Sequence, residues 1–202
     1  MSKKAKPKPE VHEYQAEMQK LLEILVHSLY TEREIFLREL VSNASDALSK
    51  VQLTTLTEEK VLDKDTELQI TISLDEEQRK IVIEDSGCGM TKEELVENLG
   101  TIANSGTLKY LEQLQTENKS AENLIGQFGV GFYSVFMVAD RVELTTRSWQ
   151  EDAKAWQWSS EGGGQYEIIP VDFKQRGTRV TVFLKEDAKE FCSEWRLESI
   201  IK

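Results

Sequence analysis

Cysteine is scarce in this chain: two residues, Cys88 and Cys192, among 202. Two thiols make no disulfide framework, so the fold has to rest on a core and a reducing compartment is expected. Histidine is as scarce, and neither His12 nor His27 has a cysteine or a second histidine at ligand spacing, so no zinc signature is present. Basic charge is in deficit, with 25 Lys and Arg against 36 Asp and Glu and a formal net charge of -11. A duplex-binding protein needs a basic stripe to displace counterions, and none exists here, which excludes nucleic acid as a partner. A small polyanion is still admissible, because backbone N–H groups, a helix end and a divalent cation can hold one locally. No apolar run approaches membrane-span length, and no membrane partner is expected. The basic start, Met1 to Pro9, has no apolar segment behind it; residues 1–11 read as a disordered tail and not as a signal peptide, pointing to the cytoplasm.

What is present suits one large domain over residues 12–202, with 39% hydrophobic and 30% charged residues. Met18, Leu21, Leu22, Leu25, Val26 and Leu29 recur at helical spacing. A second helix is expected through about Val51, with Thr31 and Glu34 as a capping box. Leu68, Ile70, Ile72 and Leu74 alternate with polar residues as in a half-buried strand, and Ile81 to Ile83 return antiparallel. Thr91 and Glu94 form a second capping box ahead of a helix over 92–99. A glycine-rich loop, Gly126 to Gly131, leads into an apolar helix, Phe132 to Val138. Strands follow at 141–147, 155–159, 165–169 and 178–184, then a helix from about Lys189. Helices first and antiparallel strands later predict an α+β two-layer sandwich, a mostly antiparallel mixed sheet covered on one face by helices.

Three segments carry candidate chemistry. Glu39, Asn43 and Asp46 stand at i, i+4 and i+7 on an otherwise widely apolar helix, so they form one polar stripe. Such a stripe faces either a cleft or plain solvent. Asp85 ends a buried strand and is followed by Ser86, Gly87, Cys88, Gly89 and Met90. That places a carboxylate where a pocket could use it, although Asp-Ser-Gly is also an ordinary turn. In Gly126-Gln127-Phe128-Gly129-Val130-Gly131-Phe132, three glycines precede a helix, which suits either phosphate binding by backbone N–H groups or a hinge. It is neither a P-loop nor a dinucleotide fingerprint.

In this order the three segments resemble the nucleotide-binding fold shared by gyrase B, histidine kinases, MutL and the heat-shock protein 90 chaperones. Glu32 through Leu48, Asn98 through Ala103 and Ile125 through Ser134 are most similar to the last family, in its bacterial and mitochondrial branches, and the similarity runs from about His12 to the end. The resemblance implies a Mg2+-dependent ATPase, slow in the isolated domain, that couples lid closure to the folding of client proteins. It implies Glu39 as general base, Asn43 as Mg2+ ligand, Asp85 as acceptor of the adenine amino group and Thr178 in its water network. Asn98, Met90 and Phe132 would line the pocket, and Gly129, Val130, Gly131 and Phe132 would offer backbone donors to the phosphates. Asp46 and Gly89 complete the nucleotide contacts, and residues 100–131 would be the lid. Middle and C-terminal dimerisation domains, lying outside this chain, would bring homodimerisation, clients and cochaperones, while the isolated domain would be a monomer. Two residues depart from the family pattern: Cys88, where isoleucine is common, and Asn104, where a basic residue is common. The rival readings are a non-catalytic nucleotide switch and the ATP module of a gyrase B- or MutL-type protein.

Overall fold

The computed structural model describes residues 8–14, 33–100 and 131–202. The expected helix over 14–29, Thr31, the glycine-rich loop up to Val130, Asn104 and nearly all of the lid lie outside the described residues. The elements in chain order are β1 (Glu10–Glu13), α1 (Ile35–Thr57), β2 (Ile70–Asp75), β3 (Lys80–Asp85), α2 (Lys92–Gly100), a 3-10 helix (Gly131–Met137), β4 (Ala139–Arg147), β5 (Ala155–Ser160), β6 (Gln165–Val171), β7 (Gly177–Leu184), a second 3-10 helix (Glu186–Phe191) and α3 (Glu194–Ile201).

The strands make one sheet in the order β1-β6-β5-β4-β7-β3-β2, and every neighbouring pair is antiparallel. The expected mixed sheet is thus purely antiparallel among the described residues. Alternation sorts the side chains into two faces. Cross-strand register aligns Ile72, Ile83, Val180, Leu144, Trp158 and Ile168 in a row on one face. All but Ile72 are fully buried, each contributing roughly 1.5–3 kcal/mol by leaving water. The opposite face carries Glu84, Arg179, Glu143 and Arg141, with ion pairs of 2.7 Å at Arg179–Glu84 and Arg141–Glu143. A one-residue slip would bury those charges, so the register is strongly specified. Helix α1 packs on β3 and on the first 3-10 helix, and the core gathers Phe36, Leu37 and Leu40 of α1 with the apolar strand row.

Four differences from the sequence reading have local causes. Helix α1 runs to Thr57 instead of Val51, its last turn closed by Glu58 N–H on Thr54 O at 2.8 Å, and its threonine hydroxyls bond back to its own carbonyls, Thr54 Oγ1 to Lys50 O at 2.9 Å and Thr55 Oγ1 to Gln52 O at 2.7 Å. The apolar segment after the glycine loop is a 3-10 helix: the Ser134 hydroxyl donates to Gly131 O at 2.6 Å, and Val138 N–H closes on Val135 O at 3.1 Å. The last helix is split in two at Cys192 and Ser193. At the other end, Glu10 and Val11, expected in the tail, already belong to β1, an edge strand paired to β6. Its polar sequence hides it, and stacking of His12 on Tyr166 (ring centroids 5.0 Å apart) and a Lys92–Glu10 ion pair of 2.6 Å hold it.

Candidate functional site

The row next to the apolar one, at the same end of the central strands, is polar. Asp85, Thr178 and Thr146 are paired across β3, β7 and β4, and all three are buried. Asp85 is only 7% exposed, and its Oδ1 accepts the Gly87 N–H at 2.8 Å. The Thr178 backbone also faces the carboxylate. Burial pushes the Asp85 carboxyl up to about 6, against the pull of those two backbone groups and of Arg176. A carboxylate has about four acceptor sites, so two backbone donors leave capacity for a ligand's amino group.

Thr146 is the hub of this floor. Its Oγ1 lies 3.1 Å from Thr178 Oγ1 and 3.1 Å from Gly177 O, and it accepts the Met90 N–H at 2.9 Å. Gly89 has φ +59°, and a Cβ there would stand 1.8 Å from the Arg147 carbonyl oxygen. Only glycine allows the loop this path against the start of the β4–β5 connection. The loop is also tied to the helix: Cys88 N–H donates to Ala47 O at 3.1 Å, one residue beyond Asp46. This bond sets the Asp85 loop directly against the helix that carries the stripe.

On the stripe, Glu39 is half-buried and Asn43 and Asp46 are exposed. Burial raises the Glu39 carboxyl above the usual range. Its Oε2 lies against Gly131, where a Cβ would come within 1.9 Å. The end of the glycine-rich segment therefore meets the first residue of the stripe. Phe132, next along, is half-buried and edge-on to Trp158 at 5.6 Å. Asn98 is exposed on α2 and its amide donates to Met90 Sδ at 3.6 Å. That helix begins with the expected capping box, Glu94 N–H to Thr91 Oγ1 at 3.2 Å and Thr91 N–H to Glu94 Oε2 at 2.7 Å. Gly129 and Val130 lie outside the described residues. Cys88 is part-buried beside Asp85, and burial pushes its thiol up.

The sequence reading missed two members of this site. Thr146 had a signal, a polar residue at an inward position of β4 between Leu144 and the strand end. Arg176, read only as a turn residue, is 2% exposed, and its Nη1 donates to Gly87 O at 3.2 Å.

Residues 30–189 match the family model described as histidine kinase-, DNA gyrase B- and HSP90-like ATPase. The chain is 54% identical to the chaperone protein HtpG of Chlorobium chlorochromatii over 191 residues, which cover 94% of this chain and 30% of that protein. It is 53% identical to the HtpG of Chlorobium phaeovibrioides over 203 residues, covering 100% and 32%. Against the HtpG of Wolinella succinogenes it is 51% identical over 191 residues, covering 95% and 31%. The chain thus spans about a third of the length of the curated relatives it matches. A family model that spans residues 30–189, with α1, the Asp85 loop and strands β2 to β7, shows that the chain belongs to the histidine kinase-, DNA gyrase B- and HSP90-like ATPases, on the side of the HtpG chaperones.

Proposed function

We propose that the cleft between α1 and the Asp85–Met90 loop binds ATP and hydrolyses it. The observation that carries this reading is the buried Asp85 carboxylate, held by Gly87 and Thr178 beside the Thr146 hydroxyl, with acceptor capacity left for an adenine amino group. Met90 and Phe132 supply apolar surface, and Asp46, Gly89 and Asn98 stand at the rim. The phosphates extend toward Gly129, Val130, Gly131 and Phe132, where backbone N–H groups leading into a helical turn suit an anion.

Glu39 at that end acts as general base toward the attacking water. Its part-burial raises its basicity toward neutrality, which is what proton abstraction requires. Asn43, exposed one turn along the same face, would hold Mg2+, a hard cation that keeps several waters and takes few protein oxygens. When bound, the ion would neutralise phosphate charge. Closure of a lid over about 100–131, homodimerisation and the folding of client proteins, with cochaperones, belong to the longer protein that the HtpG relatives represent, and we propose them for it.

Calorimetric titration of ADP with Mg2+ tests the reading. Saturable binding should be lost in Asp85→Asn, whose amide presents a donor where a second acceptor is needed. Glu39→Ala should keep nucleotide affinity and lose turnover, since it removes a group used only in the reaction. Undiminished ADP binding by Asp85→Asn would move adenine recognition elsewhere.

A further inference from the structure

Arg176 is an arginine inside the protein with no ion-pair partner among the described residues. Its Nη1 donates to Gly87 O at 3.2 Å, its Nη2 to Asp63 O at 3.3 Å, and its backbone N–H to Asp63 Oδ2 at 3.2 Å. Its Nε is buried and unpartnered. Burying a guanidinium on such terms is costly, and an apolar side chain of equal volume would pack without that cost. Two residues further on, Thr178 pairs with Asp85, a buried carboxylate that also makes no ion pair among the described residues. The two charges stand on either side of Gly87, which donates to Asp85 and accepts from Arg176.

We infer that Arg176 is the positioning residue and counter-ion of the adenine site: it fixes the Gly87 loop against Asp63 and, through space, keeps the Asp85 carboxylate ionised so that it can accept from a nucleotide base. The inference rests on the reading of Asp85 given above. The other groups facing this carboxylate work against it or are neutral. Glu84 on the same strand repels it, and the Cys88 thiol on the loop is uncharged; Lys50 and Glu94 face Cys88, and Asp63 lies beyond the guanidinium. Arg176 is therefore the nearby side chain whose charge favours the ionised form. Arginine suits the task because it does not lose its proton in a protein interior.

The test is ADP affinity, at fixed free Mg2+, followed from about pH 5 to 9 in wild type, Arg176→Gln and Arg176→Lys. In wild type, affinity should fall as pH drops through about 6, where Asp85 gains its proton. Gln keeps one amide donor group on a shorter side chain and has no charge. Its midpoint should move up by about one pH unit, giving about twofold weaker binding at pH 7, about tenfold weaker binding at pH 5 and recovery at higher pH. Lys, which restores a titratable charge, should give a midpoint below that of Gln and nearer to wild type. The terminal phosphate of ADP titrates in the same range, but equally for every variant, so the differences between variants report the protein.

A uniform loss at every pH with an unmoved midpoint, or no loss at all, would overturn the inference. A stability cycle supplies a second readout that needs no nucleotide. Arg176→Gln should shift the unfolding equilibrium at least about tenfold less in an Asp85→Asn background than in wild type. Equal costs in both backgrounds would also overturn it. Unchanged ADP binding by Asp85→Asn would instead count against the adenine assignment, and the cycle would still report on the Arg176–Asp85 pairing.

Discussion

A carboxylate buried at the end of a strand is a poor choice for stability, and Asp85 shows the sign of that cost. Its pKa in the fold is about 6 against an ordinary 3.8, so the fold prefers the protonated acid. A raised group contributes stability that is complete below the unfolded value and is lost as pH rises through about 6. The difference amounts to about 3 kcal/mol of native stability given up at neutral pH. Asp85→Asn is neutral at every pH and keeps an oxygen for Gly87. Urea unfolding of the nucleotide-free chain should show it more stable than wild type at pH 8, with the gain shrinking by about 2–3 kcal/mol toward pH 4. A gain that does not change with pH would mean that Asp85 is not the titrating group. The sequence displayed Asp85, because a charge at the end of an alternating strand followed by glycines is visible as a pattern. Arg176 and Thr146 were not displayed in the same way. A buried arginine reads like any turn residue until the segment it holds is known, and a threonine in a strand is ordinary unless its cross-strand neighbours, here Thr178 and Asp85, are fixed by register.

Between elements, the decisive contact is that of α1 with the first 3-10 helix, at Glu39 and Gly131. A methyl group on Gly131 would stand 1.9 Å from Glu39 Oε2 and 3.2 Å from its Cγ. The clashing atoms are the free end of a flexible side chain, so the carboxylate can swing aside while the backbone stays. Gly131→Ala should therefore keep most of the fold and its nucleotide affinity but misplace Glu39, the proposed general base. A displacement of about 1 Å can cost about 100-fold in rate, so turnover should fall by about that factor while the melting temperature moves little. Loss of ADP affinity equal to the loss of turnover would show that the residue matters for the phosphate loop and not for Glu39. The elements themselves were unevenly legible. The Thr91–Glu94 box announced α2 because its chemistry is local. The 3-10 helix was read as an ordinary helix, since seven nearly all-buried residues carry no period and the Ser134–Gly131 bond that tightens them is a matter of packing. Strand β1 escaped because its partner lies about 150 residues away and its own side chains are polar.

For the whole molecule the governing quantity is the net charge of -11, which sets the chain against the polyanion it is proposed to bind. Around the proposed site, Glu39, Asp46, Asp85 and Glu94 outnumber Lys50 and Arg176 among the described side chains. The attraction for phosphate then comes from backbone N–H groups and Mg2+, whose fields act over a few ångströms, whereas the repulsion of the acidic surface reaches out to the Debye length. That length shrinks from about 30 Å at 0.01 M salt to about 10 Å at 0.1 M. Added salt should thus remove the long-range repulsion before it weakens the short-range contacts. Stopped-flow association of ADP at fixed free Mg2+ should speed up several-fold over that salt range, with the dissociation rate nearly constant. This is the opposite of the slowing seen when a basic groove steers an anionic ligand. Association that slows with salt would mean that a positive field dominates the approach to the proposed site, and its source would then have to be sought outside the described residues.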